Sequence, residues 1–378
     1  MENDELGPMA TKAFDPVGYA AGVSAGGRLL VGTIGFDVPH EILVAAGMHP
    51  IRLRGDPSVD EASKVALSGM ALDPVATSHV IRFMSGNYEA LDYLVIAHDT
   101  AMNAKLFFVL RELARLGELP ARPEFAFVDL RHMERASTDR YNHNQLRQFV
   151  ELAGGWSGGE IAEGRLREAI AICNRSRHLL QTFQSVRSGH DARFSGPEAL
   201  AVFGAAQVVE QLEFQSSLTT LLGKAGDREA LSGVRLFVSG SNLEDATAYE
   251  LIEQAGGLIV GEDHDFGQRS FAGLVPESGE ALEGLAMAYR SMPPAGAWGS
   301  LGSRANYTAH AAGQVKVRGV LSIVYEHDTA LEWGWQQTRR ALADAGVEAR
   351  RHTISWGRPP ERGPFEALVS SFGDEADK

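Results

Sequence analysis

The tetrapeptide His-Asp-Thr-Ala occurs twice in this 378-residue chain, once at His98-Asp99 and once at His327-Asp328. Each copy follows an apolar stretch that predicts a strand and precedes a pattern that predicts a helix. Because α/β sheets bind ligands at the carboxyl ends of their strands, we predict two facing sites or one shared site at these pairs. Histidine can exchange protons near neutral pH, and aspartate can orient it or bind a metal. All four residues are therefore candidate catalytic residues and candidate metal ligands.

These residues also have a structural explanation. An aspartate or threonine at the start of a helix accepts hydrogen bonds from backbone N–H groups of the first turn. In that alternative, Asp99 and Asp328 are helix caps without a chemical role. The sequence leaves both explanations open.

A second polar segment, residues 36–41, follows the first predicted strand and carries Asp37, His40 and Glu41. It predicts either a ligand-binding loop or a helix that begins near Pro39, with Glu41 complementing the helix dipole. The order His-Glu also begins a zinc-protease helix, but a valine stands where the second histidine ligand is required.

The chain contains a single cysteine, Cys173. It alone cannot form an intrachain disulfide, a four-cysteine zinc site or a four-thiolate iron–sulfur cluster. Cys173 shares a predicted helical face with apolar residues, which favours a place in the core. Any metal would have to be bound by histidine, aspartate, glutamate or water.

Composition and charge narrow the class of protein. The 35 lysines and arginines and 49 aspartates and glutamates give a formal charge of −14, which argues against binding nucleic acid through net charge. An apolar fraction of 44% supplies a large core. No apolar run approaches the roughly 20 residues of a membrane span, and the first residues are acidic where a secretory signal is basic. We therefore expect a cytoplasmic protein that does not enter a membrane.

Strand and helix patterns alternate in two regions of the chain, and a helical region separates them. The predicted organisation is an N-terminal arm (1–26), a first α/β lobe (27–137), a helical domain (138–230) and a second α/β lobe (231–378). Alternating strands and helices indicate βαβ units with parallel sheets. The predicted fold class is thus α/β, with two parallel-sheet, Rossmann-like lobes flanking a helical domain. The arm is expected to be loose, and residues 262–265 to form a solvated acidic loop.

Several segments resemble one known family in the expected order. Residues 38–47 are similar to the family's opening "vPeEli-AaG" segment, residues 169–180 to its "ai…N-x-x-r-x-l-l" helix, and residues 253–260 and Arg304 follow. The family is that of 2-hydroxyacyl-CoA dehydratase and benzoyl-CoA reductase subunits, and this chain is D-component-like. The resemblance extends from about residue 32 to 372. It implies the same three-part fold and an acyl thioester bound in the cleft between the lobes.

The resemblance also implies cysteine thiolates holding an iron–sulfur cluster, a partner subunit of similar fold and an ATP-driven activator. This sequence departs from the pattern at every expected cysteine. Those positions hold Ser78-His79, His98-Asp99, residues 293–296 and His327-Asp328. Imidazole and carboxylate are harder ligands than thiolate, so they suit a divalent metal and argue against a cysteine-ligated [4Fe–4S] cluster. The sequence does not identify the cofactor.

Five residues complete the candidate site. Arg304 offers a partner for a carboxylate or a CoA phosphate, although an ordinary surface arginine would look the same. The candidate substrate-binding residues are His40, Glu41, Ser78, His79 and Arg304.

Three functions fit these observations. The first is a subunit of a dehydratase- or reductase-like enzyme, a lyase or reductase acting on an acyl-CoA, which forms a heterodimer with a homologous chain. The second is a cluster-free lyase or hydrolase that uses a mononuclear metal at His98, Asp99, His327 and Asp328. The third is a non-catalytic partner of a cysteine-bearing subunit.

Overall fold

Two parallel four-stranded sheets carry the fold in a computed structural model that describes residues 5–23, 27–293 and 300–373. The first sheet has the order β2-β1-β3-β4 and the second the order β6-β5-β7-β8, and neighbouring strands in both run parallel. The strands are β1 (Leu30–Ile34), β2 (His49–Arg52), β3 (Tyr93–Ala97), β4 (Glu124–Val128), β5 (Val234–Gly240), β6 (Gly257–Glu262), β7 (Gly319–Tyr325) and β8 (Glu348–Ile354).

The two sheets have the same topology, with β3 and β7 in equivalent central positions. All residues of β1 and β7 are buried, as expected for parallel strands covered by helices on both faces. The predicted α/β class with two parallel sheets is confirmed.

Helices pack against both sheets. They are α1 (Leu6–Phe14), α2 (Pro16–Val23), α3 (His40–Ala45), α4 (Glu61–Leu67), α5 (Pro74–Met84), α6 (Ala101–Leu116), α7 (Ala136–Ser157), α8 (Glu163–Ser188), α9 (Gly196–Ala206), α10 (Gln211–Gly223), α11 (Thr247–Gln254), α12 (Ala281–Ser291), α13 (Leu301–Gln314), α14 (Thr329–Asp344) and α15 (Arg362–Gly373). None of the helices in the described ranges combines the length and apolarity that a bilayer span requires.

Helix α8 connects the two lobes. It packs against α3 of the first lobe and against β6 at the edge of the second sheet. Helix α12 lies after β6 in the chain but packs back against α7 and α8. The helical region therefore contacts both lobes. The boundaries of the helical domain at residues 137 and 230 stay predictions.

Two sequence-based expectations are wrong. Residues 6–23 of the predicted loose arm form α1 and α2, because the apolar side chains of Leu6, Met9 and Ala13 are buried and α1 packs against α9. Residues 262–265 are not a solvated loop: β6 continues to Glu262, and all four side chains are buried. Charged partners on other segments make that burial tolerable. Of the segment 293–296, residues 294–296 lie outside the described residues.

Arg187 of α8 neutralises Glu262 inside the protein. Both side chains are fully buried, with 2.7 Å between Arg187 Nη2 and Glu262 Oε2. The guanidinium also donates to the carbonyl oxygen of Ile259 from Nε and Nη2, at 3.2 and 3.0 Å. This contact fastens the helical layer to the second sheet.

Replacing Arg187 by alanine leaves the buried Glu262 carboxylate without its cation and the Ile259 carbonyl oxygen without its two guanidinium donors. We expect Arg187→Ala to lower the free energy of unfolding by about 3–5 kcal/mol. Arg167→Ala is the matched control, because Arg167 forms an ion pair from the same helix to Glu163 in an exposed setting. That control should lose less than about 1 kcal/mol. Urea unfolding of both variants tests this, and equal losses would contradict it.

Candidate functional site

A cavity of about 330 Å³ lies between the lobes, where the carboxyl ends of strands from both sheets meet. We call it the interlobe cavity. The amino ends of α6 and α14 reach its wall, so residues that follow β3 and β7 face the same space. Its polar lining comprises Arg52, Asp73, His79, Asp99, Thr100, Asn103, Ser241, Asn242, Glu244, Asp265, Arg269, Arg304, Tyr325, His327, Asp328 and Thr329.

Asp99 lies at the end of β3 and is almost completely buried. Its carboxylate accepts hydrogen bonds from the backbone N–H of Phe36 and, at 2.7 Å, from Asn103 Nδ2. Burial, reinforced by the nearby charges of Asp37 and Asp265, raises its pKa to about 6. A carboxyl group of this kind can accept or release a proton near neutral pH.

The backbone around Asp99 has no room for a larger residue at position 35. Gly35 has a φ of +94°, and a Cβ there would lie 2.9 Å from Asp99 Oδ1. Glycine is the residue that adopts this conformation without steric cost. The loop after β1 is thus shaped to approach the Asp99 carboxylate closely.

The helix-cap alternative fails for both aspartates. The cap of α6 is Thr100, whose side chain accepts from the backbone N–H of Asn103 at 3.0 Å. Asp328 stands at the cap position of α14 but makes no side-chain cap bond. Instead, Asp328 Oδ2 accepts from Ser241 Oγ at 3.0 Å, across the end of β5.

On the wall formed by the second lobe, His327 lies next to Asp328. Its ring stacks on that of Tyr325, with 5.5 Å between the centroids. Asp73 of the first lobe also lines the cavity, and burial raises its pKa, with the nearby Asp328 carboxylate acting in the same direction. The interlobe cavity therefore brings together Asp99, His327 and Asp328, three of the four residues predicted from the repeated tetrapeptide.

His98 lies outside that group. Its Nδ1 is 3.0 Å from Asp129 Oδ1, and Asp129 also accepts bonds from Arg131 and from Tyr141. Successive side chains of an extended chain point to opposite sides, so His98 and Asp99 cannot both face the cavity.

The other predicted site residues divide between several environments. His79 and Arg304 line the interlobe cavity, and Arg304 Nη2 donates to the carbonyl oxygen of Gly240 at 3.0 Å. His79 Nδ1 is 2.7 Å from the hydroxyl of Tyr88, and burial lowers its pKa to about 3, so it is neutral at physiological pH. Ser78 is buried, does not line the interlobe cavity, and accepts from the backbone N–H of Asp56 at 3.1 Å.

His40 and Glu41 lie away from the interlobe cavity. Glu41 is fully buried, 2.5 Å from Arg177 Nη2 on α8, and accepts from the Tyr289 hydroxyl at 2.9 Å. This arrangement joins α3, α8 and α12, which indicates a structural role. His40 lines a smaller neighbouring cavity, and burial lowers its pKa to about 4.

Sequence reasoning missed two basic residues near Asp99, namely Arg52 and His132. Arg52, the last residue of β2, lines the interlobe cavity. Asp37 Oδ2 is 2.6 Å from His132 Nε2, and the carboxylate of Asp37 acts to raise the pKa of that histidine, overcoming the opposing effect of burial. Arg52 ends β2 and His132 follows the end of β4, and a position at the carboxyl end of a strand was the signal that could have found them.

The donor set does not fit a cysteine-ligated cluster. Cys173 lines the smaller cavity, and burial raises the pKa of its thiol far above neutral, so the thiolate that binds iron is suppressed. Within residues 5–23, 27–293 and 300–373, no three His, Cys, Asp or Glu side chains are grouped so as to hold a metal ion. Carboxylates, imidazoles and guanidinium groups line the interlobe cavity.

Fold and cavity define a two-lobed α/β protein with a polar, carboxylate-rich space between its lobes. Residues 36–348 match the family model described as 2-hydroxyglutaryl-CoA dehydratase, D-component, and the chain belongs to that family. This confirms the resemblance drawn from the sequence.

Curated relatives agree with this assignment. The chain is 20% identical to the (R)-phenyllactyl-CoA dehydratase beta subunit of Clostridium sporogenes over 85% of either chain. It is 24% identical to a benzoyl-CoA reductase subunit of Thauera aromatica, covering 67% of this chain and 65% of that one. For (R)-2-hydroxyglutaryl-CoA dehydratase subunit beta of Acidaminococcus fermentans, the identity is 21% over 72% of either chain. By family, the protein is a dehydratase-type subunit.

Because the pKa of Asp99 is raised in the folded protein, we expect the free energy of unfolding to depend on pH. Its carboxyl binds a proton more tightly in the folded than in the unfolded chain, so its contribution is favourable at low pH and is lost as the pH rises through about 6. Relative to wild type, Asp99→Asn should gain about 2–3 kcal/mol of unfolding free energy between pH 4 and pH 7.5. Urea unfolding across this range measures the difference. A difference that does not change with pH would show that Asp99 is not perturbed.

Proposed function

We propose that this chain is a subunit of a 2-hydroxyacyl-CoA dehydratase- or benzoyl-CoA reductase-like enzyme, and that it binds an acyl thioester in the interlobe cavity. One observation carries the proposal. The buried carboxyl of Asp99, at the end of β3, lines the same cavity as His327 and Asp328, which follow the equivalent strand β7. Ligand sites of α/β sheets lie at such strand ends.

Asp99 is the acid–base group in this proposal. Its pKa of about 6 allows it to take a proton from the acyl chain and to return one to a departing hydroxyl. Arg304 brings positive charge to the cavity wall, where it can stabilise negative charge that develops on the thioester oxygen. His327 and Asp328 orient the substrate from the opposite lobe.

We assign any iron–sulfur cluster and its electron transfer to a partner subunit, because the side chains of this chain do not fit a thiolate-bound cluster. The relatives are themselves named as subunits of dehydratases and of a reductase, which supports assembly with a homologous chain. A heterodimer served by an ATP-dependent activator in the cytoplasm is the arrangement we propose.

A mononuclear metal at His98, Asp99, His327 and Asp328 has less support. His98 pairs with Asp129 outside the cavity, which leaves three of the four proposed ligands facing it. Metal analysis of the purified chain and of His327→Ala separates the alternatives. About one divalent ion per chain, lost in the variant, would favour the metal enzyme.

The central test compares two adjacent residues in the complex with its cysteine-bearing partner. We expect Asp99→Asn to lower kcat for dehydration of a 2-hydroxyacyl-CoA by roughly 100-fold or more, because it removes acid–base catalysis. His98→Asn should stay within about threefold of wild type, since its side chain lies outside the cavity. Thioester affinity, measured by calorimetry, should change little in either variant.

Two results would contradict the proposal. Failure of the wild-type chain to bind any acyl-CoA would remove the substrate. Full activity of Asp99→Asn, in a complex that binds the thioester, would assign this chain the role of a non-catalytic partner.

A further inference from the structure

The smaller cavity that His40 and Cys173 line has a volume of about 80 Å³ and lies between the first lobe and α8. We call it the basic cavity, because Arg52 and Arg177 line it and no aspartate or glutamate is among its described lining residues. Its charge contrasts with the interlobe cavity, which carries carboxylates on both lobes. Arg52 lines both cavities and so lies where they adjoin.

The charges of the two arginines are balanced differently. Arg177 is neutralised by Glu41, which lies behind the wall and is itself fully buried. No described residue forms a hydrogen bond or an ion pair with the Arg52 side chain, although the residue is only 6% exposed. Its Nε is buried without an acceptor. The carboxylates of Asp99, Asp265 and Glu244 act on Arg52 through space without bonding to it.

The ring of Phe266 fixes the guanidinium of Arg52 in place. The distance from Arg52 Cζ to the ring centroid is 4.9 Å. A guanidinium stacked on an aromatic face keeps the edge of its planar fork free, and that edge matches the two oxygens of a carboxylate. Because a buried cation without a bonded partner is unfavourable, an anion that reaches Arg52 can form hydrogen bonds that no described side chain already makes.

The size and neutral polar groups of the basic cavity fit a small ligand group. Its volume of about 80 Å³ is enough to admit a carboxylate group. Gln207, Gln211 and Ser270 add neutral polar side chains to its wall.

We propose that the basic cavity is a carboxylate-binding site with Arg52 as its anchor. The carboxylate has two candidate sources. It is either the far end of an acyl group whose thioester occupies the interlobe cavity, or a free short carboxylic acid. The first source rests on the proposed function, and the second does not.

The test uses two thioesters that differ only at the far end of a five-carbon acyl group. Calorimetry with glutaryl-CoA and pentanoyl-CoA should show that wild type binds glutaryl-CoA roughly 10- to 100-fold more tightly. Arg52→Gln should reduce this ratio to less than about threefold. Arg54→Gln is the matched control, since Arg54 stacks on the same ring of Phe266 but bonds to the carbonyl oxygen of Glu244 and does not line either cavity. That variant should keep the wild-type ratio.

Acetate, with acetamide as its neutral control, tests the second source. Acetate binding to wild type that is lost in Arg52→Gln supports a free-acid site, even where the thioesters show no preference. If neither thioester binds, the proposed function fails, and acetate alone decides this inference. A glutaryl preference that survives Arg52→Gln would overturn the inference, as would the absence of both a glutaryl preference and acetate binding.

Discussion

Burial of the Asp99 carboxylate between two lobes is the constraint on which the site depends. An isolated carboxylate in such a place is unfavourable, and the carboxylates of Asp37 and Asp265 add repulsion. The hydrogen bonds from Phe36 and Asn103 offset part of this penalty. Glycine at position 35, which has no Cβ, lets the backbone approach the Asp99 carboxylate closely. The carboxyl is consequently held by hydrogen bonds with its pKa raised to about 6, and both properties suit the acid–base role that we propose for it.

Buried ion pairs keep the two lobes in register around this carboxyl. Glu41 and Arg177 join the first lobe to α8, and Arg187 and Glu262 join α8 to the second sheet. One long helix therefore carries two buried ion pairs, one to each lobe, and separating a lobe from the helix breaks the ion pair to that lobe.

The sequence predicted the architecture well, because apolar strand and helix patterns report directly on burial. It also placed Asp99, His327 and Asp328 correctly at strand ends. Placing His98 and Asp99 together at a strand end does not say which of the two side chains faces the cavity. Side chains alternate along an extended chain, and this alternation is what distinguishes the two residues. Glu262 is buried against Arg187, a partner 75 residues away that only the folded chain brings close. A polar run after a strand looks the same whether solvent or an arginine faces it.

Hydrogen–deuterium exchange of the wild-type chain, with and without pentanoyl-CoA, tests most directly whether an acyl thioester lies between the two sheets. The account predicts slower exchange at the junctions on both lobes, residues 99–103 and 327–331, because both line one cavity. Protection confined to one lobe, or restricted to surfaces away from these junctions, would contradict it.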